Sequence, residues 1–456
     1  MKATVQISPT AVTTHEGAAI KVLFDGTVIS DLYFDFSSLV RAVRQPSETA
    51  LDFLLVAATV YAIDKLVSRS EASDGWQRSF EVTIPVRNAT RWSENSPIVN
   101  ECLDFLSGDR WKLSFVERTH PLVRRRRRKR RSRIPVRYAT GSTACLFSGG
   151  LDSLIGAIDL LETANNEPIC LVGHHDPNIG GVLNDQNQVV DVLRRMYPQR
   201  CRPILVGIGH SGKSAEITMR SRSILFVGLG VVVAAHLGER TPLVIPENGT
   251  IALNVPLTPS RRGSCSTRTA HPRYLALLQK WLDGIGLTHP LQNPLLGKTK
   301  GEAARQCLNQ AALKDAALLS SSCAKGGHTS SWVRRTAGSC GRCMPCIYRR
   351  AALHSIRMDT EVYGNDICAG EVDVSNPDSD AADDLRACLS FLRRNYSVEA
   401  IAKMLMANGP LPPTDAMRHA STVARAMDEI RQLLRDKGAA AIRLVAGVVN
   451  GGRGAN

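Results

Sequence analysis

The residues with the clearest chemical potential form the segment LFSGGLDS, from Leu146 to Ser153. The segment leaves an apolar strand-like run, passes through Gly149 and Gly150, and enters a run with helical apolar spacing. Two glycines let the backbone approach an anion closely, and the start of a helix directs unpaired N–H groups at it. The hydroxyl groups of Ser148 and Ser153 add donors. The segment therefore predicts a phosphate-binding loop, although a strand-to-helix turn with capping residues would use similar residue types.

Asp152 would repel a bare phosphate, so it indicates either a bridging Mg²⁺ ion or a role in fixing the loop. Every specified position matches SGGxDS, and the loop resembles that of the PP-loop ATP pyrophosphatases. The resemblance implies an adenine nucleotide alpha hydrolase-like fold whose loop grips the β and γ phosphates of ATP and leaves the α phosphorus open to attack. The products would be an acyl-adenylate and pyrophosphate. The residues expected to contact ATP are Leu146, Phe147, Ser148, Gly149, Gly150, Leu151, Asp152 and Ser153.

A second segment, GIGHSGKS from Gly207 to Ser214, matches the Walker pattern GxxxxGK[ST]. A Walker protein would place Lys213 on the β and γ phosphates and Ser214 on Mg²⁺, and would cleave the terminal phosphate. The alternative is a glycine-rich crossover loop with a solvated lysine. The alternative is favoured because no apolar strand ending in aspartate follows.

A cysteine cluster suits a metal ion. Cys340, Cys343 and Cys346 form CxxCxxC, and Cys323 precedes them by sixteen intervening residues. Two-residue spacings let neighbouring thiolates converge on one ion, and a distant fourth ligand closes the tetrahedron, which predicts structural zinc. An iron-sulfur cluster and unliganded cysteines are the alternatives, but Arg350 stands where a ferredoxin-like run would continue with cysteine. Arg349 and Arg350 would either serve an anionic ligand or lie on a helix surface.

The alternation of elements around these motifs predicts an α/β fold. From Thr143, short apolar strands alternate with helices as far as Pro242 to Ile245, which is typical of a doubly wound parallel sheet with ligands at the carboxyl ends of its strands. The preceding segment combines strand-like runs with a strong helix that begins near Ser47. The tail from 380 to 437 reads as helical, with a break at 409–413.

We therefore expect three domains. Residues 1–138 form an N-terminal α+β domain that ends in a basic linker at 124–133, residues 139–360 form the PP-loop domain with the zinc cluster, and residues 361–456 form a C-terminal helical extension.

Composition limits the remaining possibilities. The net charge is +15, but the run from Arg124 to Arg131 supplies eight of these charges, so half of the basic character lies in one segment. That run is a solvated linker, an arm for RNA or DNA, or a contact for an acidic partner protein. No apolar stretch reaches the roughly 18 residues of a membrane span, and no leader pattern precedes the fold, so we expect a cytoplasmic protein with reduced thiols.

The SGGxDS loop followed by C…CGRCxxC resembles the 7-cyano-7-deazaguanine synthases, the QueC family, over about residues 143–357. That family adenylates 7-carboxy-7-deazaguanine with ATP, forms the amide with ammonia, and dehydrates it to the nitrile with a second ATP. By resemblance the zinc ligands are Cys323, Cys340, Cys343 and Cys346. Arg222, in MRSRSILF, is similar to the arginine that the family places after its third strand, and we expect Asp152, Ser153, Arg222 and Lys300 to be catalytic.

The added terminal segments and the phrases EITMRSRSILFVGLG and CSTRTAHPRY look like the QueC-like proteins of anti-phage systems, QatC of the Qat operons and the related protein of type IV CBASS. This resemblance implies a ligase that passes the activated deazaguanine carboxylate to an amine of a partner protein, such as its N-terminus. The alternatives are a PP-loop tRNA-modifying thiolase and a non-catalytic nucleotide-binding defence subunit.

Further residues are candidates for the substrate. Glu247 and Asn248 follow a predicted strand and could hydrogen-bond a purine-like edge, or form a plain turn. The other candidates are Arg268 and His271 for a carboxylate or the α phosphate, Lys300 and Glu302 for a phosphate or a helix cap, His174 and His175 beside the nucleotide, and Glu216 and Arg220 on one helical face.

Overall fold

The computed structural model describes residues 1–8, 17–43, 46–123, 141–216, 220–258, 268–325 and 329–448. The chain divides into two compact units. Unit 1 comprises Met1–Ser148, Leu160–Ile245 and Ser266–Asn293, and unit 2 comprises Gly149–Asp159, Pro246–Cys265 and Pro294–Asn456. The arginine run at 124–131 lies outside the described residues, so its predicted roles remain predictions.

Unit 1 contains a mixed, largely parallel sheet. Its ten described strands are β1 (Lys2–Ser8), β2 (Ala19–Phe24), β3 (Thr27–Phe34), β4 (Ser79–Val86), β5 (Arg110–Glu117), β6 (Thr143–Leu146), β7 (Ile169–His175), β8 (Cys201–His210), β9 (Leu243–Val244) and β10 (Leu291–Gln292). They are arranged in the order β10-β9-β6-β7-β8-β3-β2-β1-β4-β5. The strands from β10 to β8 are parallel, as predicted, and the apolar residues of β6, β7 and β9 are buried.

The helices of unit 1 are α1 (Phe36–Ala42), α2 (Glu48–Leu66), α3 (Ala89–Glu94), α4 (Ser96–Ser107), α6 (Val182–Met196), α7 (Arg222–Leu237) and α9 (Pro272–Ile285). Helix α5 (Leu151–Thr163) begins in unit 2 and ends in unit 1. The helices of unit 2 are α8 (Gly249–Leu253), α10 (Lys300–Arg305), α11 (Gln310–Ala317), α12 (Met344–Ser355), α13 (Asp383–Arg394), α14 (Val398–Asn408), α15 (Pro413–Lys437) and α16 (Ala440–Ala446).

The N-terminal segment extends the sheet of the phosphate-loop segment. Strand β3 pairs antiparallel with β8, with Leu32 opposite His210 and Phe34 opposite Ile208. Both segments therefore belong to unit 1, which differs from the separate N-terminal domain expected from the sequence. The expected boundary at 138 itself lies outside the described residues.

Helix α2 is buried on every side, which explains its largely apolar sequence. It begins as predicted at Ser47, whose side chain accepts a hydrogen bond from the Ala50 N–H group at 3.4 Å. Its Leu54 and Ala57 lie against Gly228 of α7, where a Cβ atom would come within 3.2 Å of both side chains. The glycine thus permits the close approach of the two helices.

Unit 2 is mainly helical. The apolar residues of α12 to α16 form one buried cluster, which includes Ile347, Leu389, Leu405 and Leu433. The predicted helical tail is confirmed, and so is its break, because α14 ends at Asn408 and α15 begins at Pro413. No helix of the described ranges is long and apolar enough to cross a membrane.

Candidate functional site

The phosphate-loop segment follows β6 in unit 1. Phe147 is fully buried and donates its N–H group to the Val172 carbonyl oxygen at 2.8 Å, whereas Ser148 is exposed. Gly149 then adopts a φ of 82°, a left-handed conformation that favours glycine, and Leu151 begins α5. The strand, turn and helix expected around LFSGGLDS are therefore present.

The part of the loop that belongs to unit 2 is fixed by hydrogen bonds. The Gly149 carbonyl oxygen accepts from the Ser321 N–H group at 3.0 Å, and the Leu151 N–H group donates to Ser322 Oγ at 3.3 Å. Ser153 Oγ donates to the Gly150 carbonyl oxygen at 2.9 Å. In this arrangement the Ser153 hydroxyl group supports the turn.

Asp152 is the centre of a buried polar cluster in unit 2. Its Oδ2 atom accepts from Lys300 Nζ at 2.6 Å and from Asn248 Nδ2 at 2.8 Å. The Glu247 carboxyl group lies within hydrogen-bonding reach of the same carboxylate. Four predicted site residues from three separate chain segments thus meet at one place; Asn248 is 96 positions and Lys300 is 148 positions from Asp152. We call these residues the Asp152 cluster.

The electrostatics of the Asp152 cluster favour one proton shared between two carboxyl groups. Burial acts to raise the pKa of Asp152, but the Lys300 charge and the hydrogen bonds from Glu247, Lys300 and Asn248 outweigh it and lower that pKa. Burial and the Asp152 charge raise the pKa of Glu247 well above its ordinary value. Glu247 is therefore the protonated member of the pair, and its O–H group donates to the Asp152 carboxylate.

Asn248 is held by its own helix as well as by Asp152. Its Oδ1 atom accepts from the N–H groups of Thr250 and Ile251, which caps α8. With Nδ2 on Asp152, the orientation of the amide follows from its partners. Asn248 lies after a strand, as predicted, and its side chain caps a helix and holds Asp152.

Lys300 is the first residue of α10, and Thr299 and Glu302 form a capping box around it. Glu302 accepts from the Thr299 N–H group at 2.9 Å and also pairs with Arg425 at 2.6 Å. The sequence left open whether Lys300 and Glu302 contact a phosphate or cap a helix. In the structure Glu302 caps the helix, whereas Lys300 binds a buried carboxylate.

Helix α15 also supports α10, which the sequence did not indicate. Glu429 accepts from Thr299 Oγ1 at 2.6 Å and from the Gly301 N–H group at 3.2 Å. A Cβ atom on Gly301 would come within 2.3 Å of Glu429 Oε1, so a larger residue here would displace the Glu429 carboxylate from these hydrogen bonds. The C-terminal segment is consequently part of the support of Lys300.

Cys323, Cys340, Cys343 and Cys346 converge as predicted, with all four Sγ atoms within 4.8 Å of one another. The Sγ atoms of Cys340 and Cys346 are 3.8 Å apart, and a tetrahedral Zn–S₄ centre with bonds of about 2.3 Å requires about this separation. The N–H groups of Lys325 and Cys340 both donate to the Cys323 sulfur at 3.4 Å, which favours a thiolate there. The cluster therefore fits a metal ion such as zinc, with four sulfur ligands and no open position.

The cysteine cluster is connected to the phosphate loop through one short segment. Ser321 and Ser322 bind the loop, and the next residue is the ligand Cys323. Arg349, fully buried on α12, donates to Ser320 Oγ at 2.9 Å and to the Ala317 carbonyl oxygen at 2.7 Å. Metal binding would therefore hold the backbone that positions the loop.

Arg349 and Arg350 are both buried in ion pairs. Arg349 Nε binds Glu361 at 2.7 Å, and Arg350 binds Asp366 at 2.5 Å and Asp359 at 3.4 Å. The burial of both guanidinium groups excludes the helix-surface alternative, and a role toward an anionic ligand stays a prediction.

Two predicted substrate residues lie in unit 1. Arg268 donates to the Phe105 carbonyl oxygen at 2.6 Å and stacks over the Phe105 ring. His271 is fully buried, caps α9, and accepts from the Arg273 N–H group at 3.2 Å through Nδ1. Neither residue is grouped with the Asp152 cluster in unit 2, and their substrate roles remain predictions.

His174 and Arg222 lie together in unit 1. His174 Nε2 bonds to the Ile208 carbonyl oxygen at 2.8 Å, and burial lowers its pKa to about 3, so the ring is neutral and donates. His175, at the end of β7, is only partly buried, and burial lowers its pKa as well. Arg222 begins α7 and donates to the His174 carbonyl oxygen at 3.4 Å.

The Walker-like segment does not form a phosphate loop. Gly207 to His210 belong to strand β8, Ser211 and Gly212 form a turn, and Lys213 is exposed. A Walker loop requires a helix directly after its lysine, whereas α7 begins only at Arg222. The crossover-loop interpretation agrees with this geometry.

The shared helical face expected for Glu216 and Arg220 is wrong, because both residues precede α7. Glu216 instead accepts from the Arg69 N–H group at 2.6 Å, at the start of a short 3₁₀ helix. This contact between distant chain segments is stronger than an exposed i,i+4 pair.

A scan against models of known protein families gives no match for this chain, and searches of curated proteins and of solved structures give none either.

Proposed function

We propose that this protein is an ATP-dependent ligase of the PP-loop, QueC-like type, which adenylates a 7-deazaguanine carboxylate and then forms a C–N bond. The observation that carries the proposal is the Asp152 cluster, in which an aspartate of the SGGLDS loop meets Lys300, Asn248 and Glu247. A loop that served only as a turn would need no such buried, charge-balanced support.

In the proposed reaction, the loop holds the β and γ phosphates of ATP. A carboxylate oxygen of the substrate attacks the α phosphorus, the bond from that phosphorus to the bridging oxygen breaks, and pyrophosphate leaves. An amine then attacks the acyl carbon, the bond to AMP breaks, and the amine proton passes to solvent. The product is an amide, and the resemblance favours an amine of a partner protein in anti-phage defence over ammonia.

The chain's own residues contribute position and charge. Asp152 fixes the start of α5, and it keeps the Lys300 ammonium group beside the loop, where the ammonium group offsets negative charge on the phosphates. Mg²⁺ bound together with ATP would supply further positive charge. The protonated Glu247 and the adjacent Asn248 offer hydrogen bonds to a purine-like edge. Zinc held by the four cysteines would be structural, since its coordination is complete.

Pyrophosphate release tests this proposal. Purified protein with ATP and 7-carboxy-7-deazaguanine should release pyrophosphate, and Ser148→Ala should reduce the rate by about tenfold or more if its hydroxyl group binds a phosphate. Ser142→Ala, an exposed change just before β6, is the matched control. Absence of pyrophosphate from protein with a full complement of zinc would contradict the proposal. Mass spectrometry of co-expressed partner proteins would then identify the amine.

A further inference from the structure

Within the described part of unit 1, the cations Lys65 and Arg222 lack carboxylate partners; Lys65 is buried and Arg222 is partly buried. Lys65, on the last turn of α2, is only 6% exposed, and the hydrogen bond of its Nζ atom is to Tyr61 Oη at 3.4 Å. Arg222 has one long hydrogen bond, to the His174 carbonyl oxygen, and stacks over the Phe226 ring. Within the described residues, no carboxylate oxygen lies within 4.0 Å of either cation.

Other buried cations of unit 1 are balanced differently. Arg78 binds Asp64 at 2.5 Å and Asp109 at 2.7 Å, and Arg69 binds Asp109 at 2.9 Å. Two arginines thus offset two aspartates. Asp64 also accepts from Ser221 Oγ at 2.6 Å, so its charge is already offset by groups other than Lys65.

Asp176 is the carboxylate whose charge acts on both of these cations, Lys65 and Arg222. Its Oδ2 atom accepts from Tyr61 Oη at 2.8 Å, and its Oδ1 atom accepts from the Asn178 N–H group at 2.9 Å. Asp176 therefore offsets one of two positive charges and makes its hydrogen bonds to other groups. Lys65, Arg222 and Asp176 together therefore carry one more positive than negative charge, at positions largely removed from solvent, and such an excess favours binding of an anion.

The position of these cations is that of a ligand site. Asp176 directly follows β7, and Arg222 begins α7, so the group lies by the carboxyl ends of β7 and β8. The N-terminus of α7, a helix of 16 residues, has no side-chain cap, because the Ser221 hydroxyl group is directed to Asp64. Its N–H groups and partial positive charge add to the attraction for an anion. Burial lowers the pKa of Lys65 and of Arg222, as expected for cations that await a counter-ion.

We propose that Lys65, Arg222 and the N-terminus of α7 form a binding site within unit 1 for an oxyanion, either a phosphoryl group or a carboxylate. The N-terminal segment therefore contributes to ligand binding through α2, in addition to extending the sheet. The argument for this oxyanion site does not depend on the proposed ligase activity. If the protein is such a ligase, the oxyanion belongs either to the nucleotide or to the acid substrate.

Thermal unfolding in phosphate against chloride at equal ionic strength tests the site without any assay of activity. Phosphate should raise the unfolding midpoint of the wild-type protein by more than it raises the midpoint of Lys65→Met. The control Lys280→Met, an exposed change on α9, should respond like the wild type. Lys65→Met keeps the apolar stem and removes the uncompensated charge, so its midpoint in chloride should not fall. An equal response to phosphate in Lys65→Met and wild type would overturn the proposal. So would a lowered midpoint with the phosphate response retained, since Lys65 would then only stabilise the end of α2.

Binding measurements identify the source of the oxyanion. Lys65→Met should weaken the binding of either AMP or 7-carboxy-7-deazaguanine by about 10- to 100-fold, which is the effect of losing one charge-assisted hydrogen bond. The matched neutral ligands, adenosine and 7-deazaguanine, should bind both proteins alike. Arg222→Gln provides a second variant if Lys65→Met does not fold, with the same expected loss. Unchanged affinity for both anions in a folded variant would count against the site.

Discussion

The ion pair between Lys300 and Asp152 provides a strong test of the structure, because both side chains are almost completely buried and 2.6 Å apart. At this separation, the Coulomb attraction is about 6 kcal/mol with an effective dielectric constant of about 20. Desolvation of the two groups offsets much of that attraction. Removal of one partner is nevertheless costly, because the other charge stays buried without compensation.

We therefore predict that Lys300→Met lowers the free energy of unfolding by about 3–5 kcal/mol. The exposed Lys314→Met, also in unit 2, should change it by less than about 0.5 kcal/mol. The double variant Lys300→Met with Asp152→Asn removes both charges and should recover much of the loss.

Urea denaturation at pH 7, followed by circular dichroism, measures these differences in five proteins. Wild type, Lys300→Met, Asp152→Asn and the double variant form a double-mutant cycle, and Lys314→Met is the control. A cost for Lys300→Met as small as that for Lys314→Met would refute the buried ion pair. Losses from Lys300→Met and Asp152→Asn that simply add would refute the interaction between the two charges.

Three further predictions follow from the site. Glu247→Gln should raise the free energy of unfolding at pH 7–8. Because the pKa of Glu247 is raised in the folded protein, the stabilising contribution of Glu247 is complete below about pH 4.5 and is lost as the pH rises through the raised pKa. The gain from Glu247→Gln should therefore vanish in urea titrations near pH 4.5, and a gain independent of pH would contradict the shared proton. Cys343→Ser should remove the bound metal, measured by elemental analysis, and destabilise unit 2, whereas Cys201→Ala, in unit 1, should retain the metal. Lys213→Ala should leave ATP binding unchanged in calorimetry, and a tenfold loss would restore the Walker interpretation.

Much of the local structure could be predicted because its causes are local. The loop from β6 to α5, the Ser47 cap and the break before Pro413 each depend on residue types within a few positions. The four cysteines could also be grouped in advance, because two-residue spacings restrict their geometry.

The parts that could not be predicted depend on contacts between distant segments. The pairing of β3 with β8 joins residues about 180 positions apart, and no motif in β3 indicates it. Glu429 reaches α10 from 130 positions away, and only the glycine at 301 hints at a close neighbour. No sequence pattern singles out Lys65, since its burial depends on the packing of α2 against elements such as α7.

A structure with a nonhydrolysable ATP analogue tests the central claim most directly. The account predicts that the β and γ phosphates lie against Ser148, Gly149 and Gly150, with the α phosphate open to the solvent side of the loop. Triphosphate bound around Lys213, with no ligand density at Gly149 and Gly150, would contradict it.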